Sequence, residues 1–198
     1  MWLNNTKKMN DLPYTINTKP AIVVDLEDTL VHVTSLPTNN METDNYFIIK
    51  LKKRKYYVQM RPHLQHFLEK LEKLYDIYIF TASTKDYANQ IINQILPNVK
   101  NSSRFFRDSC SNICGYFVKD LSLIKCPIQK ILLIDDFAGS AMKNPKNLIK
   151  IKPWNGEKDD NVLQNLSSVL ENIALDSDLR ESFINTLKTE NYEGINTF

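Results

Sequence analysis

Short apolar runs alternate along the chain with longer segments in which apolar residues recur at helical spacing. Residues 21–24, 76–80, 130–134 and 148–151 are short and rich in aliphatic and aromatic side chains, which is typical of strands buried on both faces of a parallel sheet. Because helical segments separate these runs, the pattern predicts an α/β fold with right-handed crossovers.

Four amphipathic helices are predicted from the apolar spacing. The first follows Arg61 and Pro62, the second follows Ser83, and two more come after the last predicted strand. Ser83 and Asp86 resemble a capping box, so we expect the Ser83 hydroxyl to cap the second helix. The four stripes are Leu64, Phe67, Leu68, Leu71 and Leu74; Tyr87, Ile91, Ile92 and Ile95; Leu163, Leu166, Leu170 and Ile173; and Leu179, Phe183, Ile184 and Leu187.

Two further strand-like runs, residues 46–51 and 55–60, stand between the first strand and the first helix. They predict a small antiparallel insertion. The length of 198 residues suits one hydrophobic core. We therefore expect a lead-in over residues 1–17, one domain over 18–190 and a tail over 191–198.

Composition narrows the class of partner. The 25 basic and 23 acidic residues leave a net charge of +2, which gives no reason to expect nucleic-acid binding. The basic run at residues 50–55 is either the solvated edge of a strand or a contact for an acidic partner or an import receptor. The chain shows no apolar signal segment or membrane-spanning run, and its three cysteines suit a reducing compartment. We expect a monomer in the nucleus or cytoplasm.

Polar side chains follow three of the predicted strands. Ligands of such sheets bind beyond the carboxyl ends of the strands, so segments far apart in sequence should converge there on one crevice. The side chains are Asp25, Glu27 and Asp28 after the first strand, Thr81 and Ser83 after the second, and Asp135 and Asp136 after the third.

Clustered carboxylates repel one another unless a cation neutralises them, and Mg²⁺ prefers oxygen ligands from carboxylates and phosphates. A carboxylate can also attack phosphorus and form an aspartyl-phosphate. Lys119 and Thr81 are the candidates for holding the phosphoryl oxygens. Taken singly, Asp25 and Thr81 could be cap or turn residues, and Lys119 could be a solvated surface lysine.

The order of these residues resembles the catalytic domain of the small CTD phosphatases, also called NLI-interacting-factor-like phosphatases, in the haloacid dehalogenase (HAD) superfamily. The resemblance covers roughly residues 18 to 175 and implies a HAD-like Rossmannoid three-layer fold, with a central parallel sheet and a small antiparallel insertion after the first strand. It is carried by residues 24–32, 60–62, 80–83, 106–110, 117–122 and 133–136, together with Tyr87, Asn147 and Trp154.

The resemblance also implies a function, namely Mg²⁺-dependent removal of phosphate from phosphoserine or phosphothreonine in proteins, with the RNA polymerase II tail as the family's best-known target. Its implied roles are Asp25 as nucleophile, Thr81 and Lys119 as the phosphoryl-binding pair, and Ser83, Tyr87 and Arg107 as the substrate-binding residues. The implied metal ligands are Asp25, Asp136 and the backbone carbonyl of Glu27, with Asp135 beside them.

One departure from the family pattern concerns the general acid/base. The family usually reads Asp-Leu-Asp-Glu-Thr, whereas residues 25–29 read Asp-Leu-Glu-Asp-Thr, so Glu27 stands in the acid/base position. Glutamate keeps the carboxyl group but adds one methylene, and a displacement near 1 Å can cost on the order of 10²-fold in rate. Three hypotheses follow: a working protein phosphatase, a weak or inactive pseudophosphatase that binds proteins, and a small-molecule phosphatase.

Overall fold

The computed structural model describes residues 19–37, 45–190 and 192–197, so the predicted lead-in over residues 1–17 lies outside the described residues. The strands are β1 Ala21–Val24, β2 Val31–Thr34, β3 Tyr46–Leu51, β4 Arg54–Met60, β5 Asp76–Phe80, β6 Arg104–Phe105, β7 Ser111–Ile113, β8 Tyr116–Val118, β9 Ile131–Asp135, β10 Leu148–Ile151 and β11 Ile195–Thr197. The α-helices are α1 Leu64–Leu74, α2 Lys85–Ile95, α3 Val162–Ile173 and α4 Leu179–Thr189.

A six-stranded sheet with the order β11-β10-β9-β1-β5-β6 forms the centre of the molecule. Its pairings are parallel except that of β11, which runs antiparallel to β10 and comes from the segment predicted as a tail. The predicted α/β fold with a central parallel sheet is confirmed. β1 lies at the middle, between β5 and β9, because all four of its residues are apolar and buried.

Each face of the sheet has its own hydrophobic cluster. In β1, Ile22 and Val24 belong to a cluster that contains the buried residues of all four α-helices, whereas Ala21 and Val23 belong to a second cluster. This division follows from the alternation of side chains along a strand. The second face is covered by loops and by short 3-10 turns, including one over Ala138–Ala141, rather than by α-helices.

A separate three-stranded antiparallel sheet with the order β2-β4-β3 forms the predicted insertion. β3 and β4 match the two predicted runs, while β2 escaped prediction because its four residues include His32 and Thr34 and so form no continuous apolar run. The basic run at residues 50–55 forms the β3–β4 hairpin, in which Lys52 and Lys53 make an exposed turn. None of the helices within the described ranges is long and apolar enough to cross a membrane.

The predicted capping box at the start of α2 is wrong. Thr84 is the N-cap residue, and no side chain caps the helix. The Ser83 hydroxyl instead donates a hydrogen bond to Glu27, a residue 56 positions earlier in the chain. A long-range partner, which local sequence cannot reveal, has taken the hydroxyl that the pattern assigned to the helix.

Candidate active site

The polar residues predicted to converge do so beyond the carboxyl ends of β1, β5 and β9. Asp25 follows β1 directly, and its backbone N–H donates to the carbonyl of Ile134 in β9 at 3.0 Å. Thr81 follows β5, and its N–H donates to the carbonyl of Phe105 at 3.0 Å. Parallel hydrogen bonding therefore places both residues at the same edge of the sheet.

Lys119 joins the ends of β1 and β9. It follows β8, is 2% exposed, and donates from Nζ to Asp25 Oδ1 at 2.5 Å and to Asp135 Oδ2 at 2.6 Å. Its backbone N–H donates to the carbonyl of Ser140 at 2.8 Å, which fixes where the side chain enters the site. Burial alone would lower the pKa of Lys119, but the carboxylates of Asp135 and Asp25 outweigh it and raise the pKa, so the ammonium stays charged.

Three carboxylates lie close enough to share one cation. Oxygens of Asp25, Asp135 and Asp136 all lie within 4.8 Å of one another. Burial, and then the neighbouring Asp135, raise the pKa of Asp136. The pKa of Asp25 is also raised, first by burial and then by Asp135 and Glu27, against the opposing effect of Lys119. One ammonium group does not neutralise this set, so its chemistry fits a hard divalent cation such as Mg²⁺.

The Glu27 side chain lies outside this carboxylate group and contacts hydroxyl groups instead. Its Oε2 accepts a hydrogen bond from Thr81 Oγ1 at 2.9 Å, and its Oε1 accepts one from Ser83 Oγ at 2.6 Å. The pKa of Tyr87 is raised, first by burial and then by the Glu27 carboxylate. Glu27 therefore accepts the hydrogen bonds of the two hydroxyl groups to which the sequence analysis assigned phosphoryl and substrate binding.

Asp28 faces a different part of the molecule. It has a φ of 54°, in the left-handed region, and its carboxylate oxygen Oδ1 lies 2.9 Å from Nδ1 of His32. Its backbone carbonyl accepts a hydrogen bond from the N–H of Trp154 at 2.8 Å. Because a tight turn at Asp28 directs its carboxylate to His32, the residue does not share the contacts of Glu27 with Thr81 and Ser83.

The remaining predicted residues border the site. Arg107 donates from Nε to the carbonyl of Ala82 at 2.6 Å, and its guanidinium lies 5.3 Å from the centroid of the Phe117 ring. Tyr87 packs edge-on against Tyr56 with ring centroids 5.9 Å apart. The structure thus brings all the predicted site residues to one edge of the sheet.

Sequence reasoning missed two features of the site. It did not foresee that Asp135 pairs with Lys119, although the doubled acid at the end of β9 marked the position. It also assigned nothing to the exposed aromatic residues that flank Lys119 and Asp136, of which Phe117 and Phe137 are examples. A three-residue strand and the turn after β9 give no periodic signal, so only the fold shows that Phe117 lies against Arg107 and that Phe137 lies against Tyr116.

Comparison with known proteins places these features in a family. The family described as NLI interacting factor-like phosphatase matches residues 20–180. A CTD small phosphatase-like protein 3 of Caenorhabditis elegans is 34% identical over 163 residues, and a CTD nuclear envelope phosphatase 1 of Xenopus laevis is 31% identical over 172 residues. These alignments cover 81% and 82% of the chain.

The solved structure of the RNA polymerase II CTD phosphatase Fcp1 has a similar fold. It matches with a TM-score of 0.56 and 23% identity, over 88% of this chain and 55% of that chain. The chain spans 57% of the Caenorhabditis protein and 70% of the Xenopus protein. It spans only 29% of a CTD small phosphatase-like protein 2 of Dictyostelium discoideum, to which it is 32% identical.

Proposed function

The chain belongs to the family of NLI interacting factor-like phosphatases, and from this premise we propose that it hydrolyses phosphoserine or phosphothreonine in proteins through an aspartyl-phosphate on Asp25. The observation that carries the proposal is the contact of Lys119 with both Asp25 and Asp135 in a buried site. A buried lysine between two carboxylates provides the charge that a phosphoryl group needs beside its nucleophile.

The first step transfers the phosphoryl group to the protein. Lys119 holds Oδ1 of Asp25, so Oδ2 is the oxygen that attacks phosphorus as the bond to the serine or threonine oxygen breaks. Lys119 Nζ and Thr81 Oγ1 then donate hydrogen bonds to the phosphoryl oxygens. Glu27 gives its proton to the departing hydroxyl oxygen.

The second step releases phosphate. Glu27, now ionised, takes a proton from a water molecule, whose oxygen attacks phosphorus while the bond to Asp25 breaks. Asp25, Asp136 and the Glu27 carbonyl would hold Mg²⁺, with Asp135 beside it, and the ion supplies positive charge that screens the anionic substrate from the carboxylates. Asp135 keeps Lys119 in place throughout, since it accepts from the same Nζ at 2.6 Å.

The position of Glu27 imposes a condition on this mechanism. Its two carboxylate oxygens accept hydrogen bonds from Thr81 and Ser83. Thr81 must turn its hydroxyl from Glu27 to the phosphoryl group when substrate binds, whereas Ser83 is able to keep its contact and hold the carboxyl group near the leaving oxygen. We therefore assign Ser83 to positioning Glu27.

Replacing the nucleophile tests the proposal. Asp25→Asn should lower Mg²⁺-dependent phosphate release from a phosphoserine peptide by roughly 10³-fold or more, because an amide does not form the covalent intermediate. Asp28→Asn is the matched control and should keep activity, since the Asp28 carboxylate contacts His32. Equal rates for Asp25→Asn and the wild type would end the proposal.

A second candidate function is a binding module with little turnover. The observation that favours it is the position of the Glu27 carboxylate, which accepts the hydrogen bonds that the Thr81 and Ser83 hydroxyls donate. Glu27→Asp separates the two functions. If glutamate blocks the site, the shorter aspartate should raise kcat by about 10²-fold. A fall in kcat with Glu27→Asp would show that glutamate is the working acid/base and would exclude the binding module.

The names of the relatives suggest where substrates should be sought. RNA polymerase II tail phosphopeptides are the first to test, since solved Fcp1 is a phosphatase of that tail. A protein substrate suits this site better than a small metabolite does. The only insertion after β1 in the described residues is the small antiparallel sheet, which leaves room for a bulky substrate to reach the site. We further propose that the protein acts as a monomer in the nucleus or cytoplasm and does not bind nucleic acid.

A further inference from the structure

Three exposed aromatic side chains border the active site and have no part in the mechanism. Tyr116, Phe117 and Phe137, here called the aromatic rim, are 49%, 39% and 46% exposed. Tyr116 and Phe137 pack together with ring centroids 5.3 Å apart. Exposed aromatic groups that cluster beside a site mark a binding surface more often than isolated exposed residues do.

The aromatic rim is fixed to the site from two sides. Phe117 stands two residues before Lys119, and the Arg107 guanidinium on its ring also binds the carbonyl of Ala82 in the loop after β5. Phe137 follows Asp136, and its backbone N–H donates to Asp135 Oδ1 at 2.8 Å. Phe117 and Phe137 therefore lie next to residues of the site, and ring packing joins Tyr116 to Phe137.

The ring of Phe137 lies directly over the backbone of Gly139. A Cβ atom at Gly139 would stand 2.4 Å from Cε1 of Phe137, closer than non-bonded carbon atoms approach. Only glycine therefore allows the ring to lie in this position against the chain. Because the ring is at the free end of an exposed side chain, an added methyl group would displace it at little cost to stability.

The substrate itself is the occupant that fits this surface. If the proposed function holds, the phosphate of a phosphoserine lies against Lys119, and the peptide that carries it must leave the crevice past the adjoining walls. An extended peptide advances about 3.3 Å per residue, so the side chains that adjoin the phosphoserine are the first to pass the walls beside the site. We propose that the aromatic rim binds a large apolar side chain next to the phosphorylated residue and so makes the enzyme select phosphopeptides that have one.

Two synthetic phosphopeptides test the proposal. They are identical except that leucine or serine flanks the phosphoserine on both sides, and kcat and KM are measured for each at saturating Mg²⁺. The wild type should prefer the leucine peptide in kcat/KM. The double variant Tyr116→Ser and Phe137→Ser should reduce this preference about tenfold, through KM, because it removes two apolar contact surfaces.

Two further variants control for the chemistry and the position of the change. Leu175→Ser removes a 93% exposed apolar residue at the opposite end of the sheet, beside Asp176, whose carbonyl binds Lys130 just before β9. It should leave the preference unchanged. Gly139→Ala keeps every aromatic atom but displaces the Phe137 ring, so it should reduce the preference by a smaller factor.

The outcomes separate this proposal from the function on which it rests. An unchanged preference in the double variant, or an equal loss in Leu175→Ser, would overturn the role of the rim while phosphatase activity stands. If the wild type releases phosphate from neither peptide, the proposed function fails. The dissociation constants of both phosphopeptides for the Asp25→Asn protein then test the rim. The proposal requires that this protein binds the leucine peptide more tightly. It also requires that the difference is lost when Tyr116→Ser and Phe137→Ser are added to Asp25→Asn.

Discussion

Two buried cations in this protein are held in opposite ways. Arg61 is 1% exposed and forms a two-pronged pair with Asp160, in which Nε and Nη2 donate to the two carboxylate oxygens at 2.8 Å each. Nη1 donates to the backbone carbonyl of Thr29, and Nη2 also donates to that of Lys152. Lys119 is about as deeply buried, but the side-chain partners that the described residues give it are the carboxylates of Asp25 and Asp135.

The difference separates structural charge from functional charge. Arg61 has one carboxylate and two carbonyls as fixed partners, so it ties the turn after β1 to the segment after β10. Lys119 stands among more negative charge than it neutralises, and under the proposed mechanism a phosphoryl group competes with Asp25 for its hydrogen bonds. A buried cation whose partners are a fixed carboxylate and backbone carbonyls stabilises the fold, whereas a buried cation with exchangeable anionic partners is typical of a functional site.

The largest expected effect is on stability. Arg61→Met should lower the free energy of unfolding by about 3–5 kcal/mol, because it leaves Asp160 buried without its partner. Urea unfolding followed by circular dichroism measures this change. Arg180→Met breaks the half-exposed pair with Asp178 and should cost no more than about 1 kcal/mol. Similar losses in the two variants would contradict the structural role of Arg61.

The next effect is on catalysis. Lys119→Met should lower kcat by about 10²–10³-fold, because it removes a donor that stabilises charge on the transferring phosphoryl group. The protein should remain folded in Mg²⁺, which circular dichroism checks. Lys143→Met removes a lysine that pairs with Asp120 on the surface and should keep full activity. A Lys119→Met enzyme with more than a tenth of wild-type kcat would break the comparison.

The smallest effect concerns pH and the excess negative charge near Lys119. Burial and Asp135 raise the pKa of Asp136 above its ordinary value of 3.8, so the folded protein binds more protons than the unfolded chain does. Without metal, ionisation of Asp136 should therefore make the free energy of unfolding fall as the pH rises from 3.8 through the raised pKa of this carboxyl group.

Asp136→Asn supplies the comparison for this prediction. Subtracting its pH profile of unfolding free energy from that of the wild type should leave a curve that falls with rising pH. Addition of Mg²⁺ should flatten that curve, because the cation replaces the proton as the source of positive charge. A difference curve that rises with pH would show that Asp136 is already neutralised by other groups.

The sequence allowed most of the scaffold to be predicted. The buried runs of β1, β5 and β10 and the stripes of the helices follow from apolar periodicity, which reflects burial directly. β2, β6 and the β7–β8 hairpin were missed because they are short and because β2 and β7, unlike β1, mix polar with apolar residues, while β6 and β8 have only two and three residues. Their pairing depends on partners elsewhere in the chain.

The site was predictable in its members but not in its contacts. Acidic residues at strand ends and the family resemblance identified Asp25, Asp136 and Lys119. Neither source revealed that Ser83 binds Glu27 rather than capping α2, because a serine hydroxyl bonds equally well to a nearby backbone or to a distant carboxylate. Tertiary proximity decides between these two partners.

The amino-acid sequence by itself determined the apolar positions of the main strands and helices, the α/β class and the chemical types gathered at the end of the sheet, since these follow from side-chain hydrophobicity, spacing and order. Only the tertiary structure decided that Arg61 pairs with one carboxylate and two backbone carbonyls while Lys119 pairs with two carboxylates, and that Tyr116 meets Phe137. The physical reason is distance. Hydrogen bonds and ring contacts act over a few ångströms, and folding alone brings together groups that lie 16 to 99 positions apart in the chain.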